Sequence, residues 1–261
     1  MPNEQDAHPR AQVLGVPISA LTMDQALSMI EGWVKRRERH YVCTVDVHAL
    51  IESHSAPDVR EIYRSAGITA PDGMPLVWLL HRNGYRNADR ICGPDLMPAL
   101  FRRSEERGYR HYLYGSSEQT LARLIQMLND RYPGAAIAGA YSPPFRPLTA
   151  AENEEIEAAI NAVEPDIVWV GLGAPKQDRW MAAHRGGVNA PVMIGVGGAF
   201  EMISETVRRA PRFVRKTGFE WTFRLMQEPR RLAPRYLESN SKFVMMLLKE
   251  KLRIGNDGAG V

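Results

Sequence analysis

The chain has 261 residues, 44% hydrophobic and 24% charged, with a net charge of +3 and two cysteines, Cys43 and Cys92. This is the composition of a globular protein with material for one large core, and two cysteines in apolar surroundings exclude a disulfide scaffold and point to a reducing, cytoplasmic compartment. The first ten residues lack an apolar core and no stretch approaches the roughly 20 apolar residues of a membrane span, so neither a signal peptide nor a bilayer crossing is expected.

In chain order, residues 13–18 read as a first strand and 23–37 as a helix with Ala26, Ile30, Trp33 and Val34 at helical spacing. A second strand over 41–45 runs into a polar junction, followed by a short helix over 58–65. Residues 68–74 read as strand then turn, and 75–81 as the helix leaving it. A helix begins near Pro94, a strand spans 111–114 with a glycine turn at 115–117, and a helix covers 119–129. The alternation continues through 135–140, 152–162, 166–171 and 191–195. Strands separated by single helices specify an α/β fold, a mostly parallel sheet with helices on both faces. The proline-bearing run 141–147 stands out as an ordered loop or lid.

Two strand ends carry the strongest local signal. Val168-Trp169-Val170-Gly171-Leu172-Gly173-Ala174-Pro175-Lys176-Gln177 and Val192-Met193-Ile194-Gly195-Val196-Gly197-Gly198-Ala199-Phe200-Glu201 both read strand, glycine turn, helix. Glycines let the backbone approach a ligand, and free N–H groups at a helix start face negative charge. Neither run completes G-x-G-x-x-G, and the chain holds no P-loop, so dinucleotide binding fits poorly. A mononucleotide or nucleotide-sugar crevice remains, in which Lys176 and Gln177 meet phosphate or base. The bland alternative is that these glycines only permit tight strand-to-helix packing.

Asp72, in Pro71-Asp72-Gly73, places a carboxylate on a turn at a strand end, where it serves either as a general base or merely as the cap of the next helix. Thr44 and Asp46 also stand where a strand runs out, and would face the same crevice if the two strands are neighbours. His48, beside Val47 and Ala49, reads as structural. Arg90, ahead of the helix that begins near Pro94, could grip a diphosphate bidentately, with Asp95 in that helix's first turn. No Asp-x-Asp, helical histidine pair, cysteine pair or G-x-S-x-G elbow occurs, so neither a metal cofactor nor a serine hydrolase is expected.

Taken together, Thr44-Val45-Asp46, Pro71-Asp72-Gly73-Met74, Arg90-x-x-Gly93-Pro94-Asp95-Leu96, Tyr114-Gly115-Ser116, Ser142-Pro143-Pro144-Phe145, the two glycine runs, Arg209-Ala210-Pro211 and Glu220-Trp221-x-x-Arg224-Leu225-x-x-Glu228-Pro229 resemble the WecG/TagA/CpsF family of bacterial glycosyltransferases. The resemblance implies a Rossmann-like domain that moves a sugar, with inversion, from a UDP-sugar to a polyprenyl-diphosphate-linked saccharide on the cytoplasmic face of the membrane. N-acetylmannosamine, its uronic acid, glucose or a similar sugar is implied, in cell-surface or exopolysaccharide synthesis. It also implies that Asp72 is the base, that Thr44 stands beside it, and that Arg90 stabilises charge on the departing diphosphate. Gln177 and the glycines Gly171, Gly173, Gly195, Gly197 and Gly198 would hold the nucleotide, with no metal or other cofactor. Two positions depart from the family pattern: Asp46 stands where Asn is usual, placing a second acid near Asp72, and Glu201 where Asp is common.

Charge divides the chain. Residues 1–206 carry 20 basic and 25 acidic side chains, whereas residues 207–261 carry 13 and 5. The first reads as the α/β domain and the second as a basic, helical C-terminal appendage. Arg212, Arg215, Arg224 and Arg231 lie there among Phe213, Phe219, Trp221 and Phe223, and the last helix carries Tyr236, Phe243, Leu247, Leu248 and Leu252. Basic residues beside an apolar stripe fit an anionic leaflet, with the arginines reaching over the crevice toward the acceptor diphosphate. No stacking motif accompanies the charge, so nucleic acid is not expected as a partner, and homo-oligomer formation is left open. The competing readings are another nucleotide-sugar enzyme, such as an oxidoreductase, or a noncatalytic nucleotide- or lipid-binding module.

Overall fold

The computed structural model describes residues 7–257, and the side chains of Arg212, Lys216, Arg231 and residues 251–257 lie outside that description. Among the described residues, six parallel strands form the main sheet: β3 (His40–Val45), β4 (Ile68–Pro71), β5 (Arg110–Gly115), β6 (Ala136–Tyr141), β7 (Ile167–Gly171) and β8 (Val192–Gly195). Their order is β4-β3-β8-β7-β5-β6. This is the expected Rossmann-like α/β architecture with strands that pair out of chain order, so that β3 touches both β4 and β8.

Side chains alternate between the two faces of each strand, and two separate cores follow from that period. Tyr41, Cys43, Val45, Val168, Val170 and Met193 point to one core. There they meet α2 (Val47–Ser55), α3 (Pro57–Ser65), α4 (Met74–Arg82), α7 (Ala150–Ala162) and α8 (Lys176–His184). Val42, Ile68, Ala70, Ile167, Trp169 and Ile194 point to the other, against α1 (Met23–Arg36), α5 (Gly93–Arg107), α6 (Glu118–Arg131) and α9 (Ala199–Ile203). Both faces being covered explains why the central strands read as unbroken apolar runs. Trp169 on β7 is fully buried, and truncating such a side chain to alanine costs about 3–5 kcal/mol.

Two expectations are corrected. Residues 13–18 do not form one strand of the main sheet. They contribute to a separate antiparallel hairpin of β1 (Arg10–Val13) and β2 (Val16–Ser19), turned at Leu14 and Gly15, whose φ angles of 48° and 78° match a two-residue hairpin turn. The polar junction after β3 is the helix α2, capped by Asp46, whose carboxylate accepts a hydrogen bond from the Ala49 N–H at 2.8 Å.

The appendage is helical as expected: α10 (Arg212–Lys216), α11 (Glu220–Gln227) and α12 (Pro229–Asp257). Phe243 of α12 is buried in the first core and Ser239 lies 2.8 Å from His48 of α2, so the last helix packs on the body. Among the described residues, no helix is long and apolar enough to cross a membrane.

Candidate active site

The carboxyl ends of β3, β4, β5, β7 and β8 open onto one edge of the sheet, the usual seat of ligands in an open parallel sheet. Two cavities occupy that edge. One, of about 530 Å³, is lined by Thr44, Ser116, Gly171, Gly173, Lys176, Gln177, Gly197 and Glu201. The other, of about 540 Å³, is lined by Gly73, Trp78, Leu79, Arg90, Trp221, Phe243 and Leu247. Asp46, Asp72, Gly198, Met202 and Arg224 line both, and so form the waist between them.

Asp72 reaches that waist because β4 ends at Pro71 and its backbone N–H is held by the Val45 carbonyl of β3 at 2.9 Å. The carboxylate is not a helix cap: Gly73 occupies the N-cap of α4, with no side-chain cap bond. Burial, then the neighbouring Asp46 charge, pushes the Asp72 carboxyl up to about 7, against the pull of Arg90 and Arg224. A base poised near neutrality is what proton abstraction from a hydroxyl requires. The extra acid at position 46 therefore acts on Asp72, while its own oxygen is engaged as the α2 cap.

Arg90 is set beside this acid by the Ile91 N–H, which donates to the Pro71 carbonyl at 3.0 Å. Its guanidinium donates to Glu220 of α11 at 2.6 Å and to the Cys92 sulfur at 3.2 Å. Burial opposes its charge, but Cys92, Glu220 and Asp72 raise its pKa above the ordinary value. Arg90 lines the apolar cavity and not the glycine cavity, whereas Arg224 lines both. Thr44, buried at the end of β3, donates its hydroxyl to the Gly195 carbonyl at 2.9 Å and tethers β3 to the β8 turn.

The glycines divide into two kinds. A Cβ on Gly171 would lie 2.7 Å from the Phe200 ring, and one on Gly195 2.8 Å from Gln177 Nε2, so at these two the packing explanation holds. Gly173 and Gly197 have open space around them and φ angles of +76° and +56°, leaving their backbone facing the cavity. Gln177 ties the turns together, its Oε1 accepting from the Gly197 N–H at 2.9 Å. Glu201 accepts from Ser116 at 2.7 Å across the cavity. The 141–147 loop contributes Pro143 and Phe145 to the glycine cavity, and Ser142 is anchored to the Ser116 carbonyl at 2.7 Å.

Some expected residues lie elsewhere. Arg215 lines neither cavity and instead pairs at 3.3 Å with Asp95, in the first turn of α5. The side chains of Arg212 and Arg231 fall outside the described residues. Sequence reasoning missed Glu220 as the partner of Arg90, Arg235 in the glycine cavity, and Asp178, a buried carboxylate raised to about 7 by burial despite hydrogen bonds from Cys43 and Tyr63. Glu220 stood within a quoted motif, but no spacing rule connects it to position 90. Among the described residues, no group of three or more histidine, cysteine or acidic side chains could hold a metal ion.

Comparison with known proteins converges on one kind of enzyme. The model of the glycosyl transferase WecG/TagA/CpsF family matches residues 11–257. The chain is 30% identical over 211 residues to an N-acetylglucosaminyldiphosphoundecaprenol N-acetyl-beta-D-mannosaminyltransferase of Bacillus spizizenii, covering 81% of this chain and 79% of that protein. It is 26% identical over 247 residues to a Staphylococcus aureus protein of the same description, covering 94% of each.

Proposed function

Because the chain belongs to the glycosyl transferase WecG/TagA/CpsF family and is a glycosyltransferase, we propose that its two cavities divide the substrates between them. The glycine cavity takes a UDP-sugar and the apolar cavity takes the end of a polyprenyl-diphosphate-linked saccharide. The observation that carries this reading is the position of Asp72, at the waist where the two spaces meet. There its carboxylate accepts the proton of the acceptor hydroxyl as that oxygen bonds to the anomeric carbon. The bond from that carbon to the diphosphate oxygen breaks on the opposite face, and UDP leaves with the electron pair. Arg224 supplies positive charge at the waist as the diphosphate departs, with Arg90 beside it in the apolar cavity, a stabilisation that is often the largest catalytic contribution. Because arginines fill that role, the reading calls for no metal.

The names of the relatives point to N-acetylmannosamine as the sugar and to an N-acetylglucosaminyl-diphosphate lipid as the acceptor. The appendage fits a peripheral seat on the anionic inner face of the membrane. Phe213, Met226 and Leu237 expose about 70% of their surface within its basic sequence. The test is a panel of UDP-sugars with purified protein and a short-chain lipid-diphosphate N-acetylglucosamine acceptor, with and without EDTA, reading released UDP. Acceptor-dependent UDP release from one sugar is expected, unchanged by EDTA. Absence of release from every UDP-sugar overturns the donor assignment.

A further inference from the structure

A third space of about 430 Å³ lies beyond Met202, whose side chain also lines both catalytic cavities. Its volume falls in the range of ordinary ligand sites, roughly 300–1,000 Å³. Four guanidiniums line it: Arg102 of α5, Arg131 in the last turn of α6, Arg209 from the segment that joins the α/β body to α10, and Arg215 of α10 itself. Against these stand two carboxylates, Asp95 and Glu205.

Asp95 is already saturated. It accepts from both terminal nitrogens of Arg209 at 2.7 Å and from Arg215 at 3.3 Å. Burial would raise its pKa, but Arg209, Cys92 and Arg90 together hold it down at about 2. Arg102 and Arg131 are exposed and, among the described residues, engage no protein acceptor. The Nε atoms of Arg209 and Arg215 are buried without a hydrogen-bond partner. Buried donors left unmade are costly, and like charges gathered round one cavity raise a strong positive potential.

We propose that this cavity is a second anion site, distinct from the catalytic crevice, that binds a phosphate-bearing group between Arg102 and Arg131 on one side and Arg209 and Arg215 on the other. Guanidinium forks match phosphate oxygens in geometry as well as charge. The ligand would clasp the connector of the appendage against α5 and α6. Arg209 carries that clasp toward catalysis, because its Nε lies 3.8 Å from Glu220, the partner of Arg90. A free diphosphate and the headgroup of an anionic lipid share this chemistry.

The probe for the free form is inorganic pyrophosphate, titrated calorimetrically into the full-length protein, an Arg224→Ala variant and an Arg102→Ala/Arg131→Ala variant. Both replaced residues in the last variant are exposed on helix surfaces, and its thermal midpoint serves as the folding control. For lipid, the same proteins are sedimented with phosphatidic acid vesicles and with phosphatidylcholine vesicles. Binding that survives Arg224→Ala and weakens at least about tenfold in the double variant is expected, in the pyrophosphate arm for a free ligand or in the phosphatidic acid arm for a headgroup. Equal binding by wild type and double variant in both arms, or loss only with Arg224→Ala, overturns the site.

Discussion

Arg90 and Glu220, 130 residues apart in the chain, form an ion pair of 2.6 Å in which each side chain exposes about 15% of its surface or less. The pair fastens α11 of the appendage to the edge of the body that carries Asp72. Replacing Glu220 with glutamine keeps the shape and removes the charge. The cost is about 1.5–3 kcal/mol, the worth of a hydrogen bond to a charged group. A lower thermal midpoint together with a lower kcat is expected; an unchanged value of both would show that the pair neither secures the appendage nor orients Arg90.

Asp72 gives a pH signature of known sign. Its native pKa of about 7 lies above the ordinary carboxylate value near 3.9, so the folded protein holds a proton there that the unfolded chain has released. Stability contributed by this group therefore falls as pH rises from about 4 to 7, and the charged form burdens the fold above that window. Activity runs the other way, rising through about pH 7 as the base forms. Asp72→Asn should abolish transfer, leave UDP binding largely intact, and raise the thermal midpoint at pH 8 relative to wild type. Full turnover in this variant removes Asp72 from the role of base.

Two glycines separated by one residue should fail in different ways. Gly171→Ala drives a methyl group into the buried Phe200 ring and should destabilise the protein by about 1–3 kcal/mol, as overpacking does. Gly173→Ala meets no neighbour and strains only a positive φ, about 1 kcal/mol, but it changes the backbone that faces the cavity. Thermal denaturation should single out the first variant and the KM for UDP-sugar the second. Identical behaviour of the pair would contradict the division.

The proposed membrane role can be tested apart from catalysis with Phe213→Asp and Leu237→Asp, two exposed apolar side chains of the basic appendage. Binding to phosphatidylglycerol vesicles should fall severalfold for each, and wild-type binding should weaken with salt, since each basic residue near such a surface contributes only about 1 kcal/mol. Sedimentation indifferent to both the substitutions and the salt would place the lipid-facing surface elsewhere.

The parallel sheet was legible because strands buried on both faces must be apolar throughout, and the segments around Val168 and Ile194 are. The hairpin was not, since Leu14 adopts a positive φ that its side chain disfavours and no polar turn pair marks the reversal. Helix α2 was hidden because Asp46 is at once its cap and part of the crevice, and the second role drew the reading. At the site, Asp72, Thr44 and the glycine turns follow from where strands end. The Arg90–Glu220 pair and the contact of Gly171 with Phe200 depend on tertiary placement that local pattern does not encode.

Two chambers joined at Asp72 also bear on the order of events. On the division of substrates proposed above, each ligand has a chamber of its own and the two meet only at the shared waist, so nucleotide and lipid can be seated together. Initial-rate patterns should then show intersecting lines, the mark of both substrates bound at once. The molecule would work as a meeting point, holding a soluble and a lipid-borne partner on either side of one carboxylate.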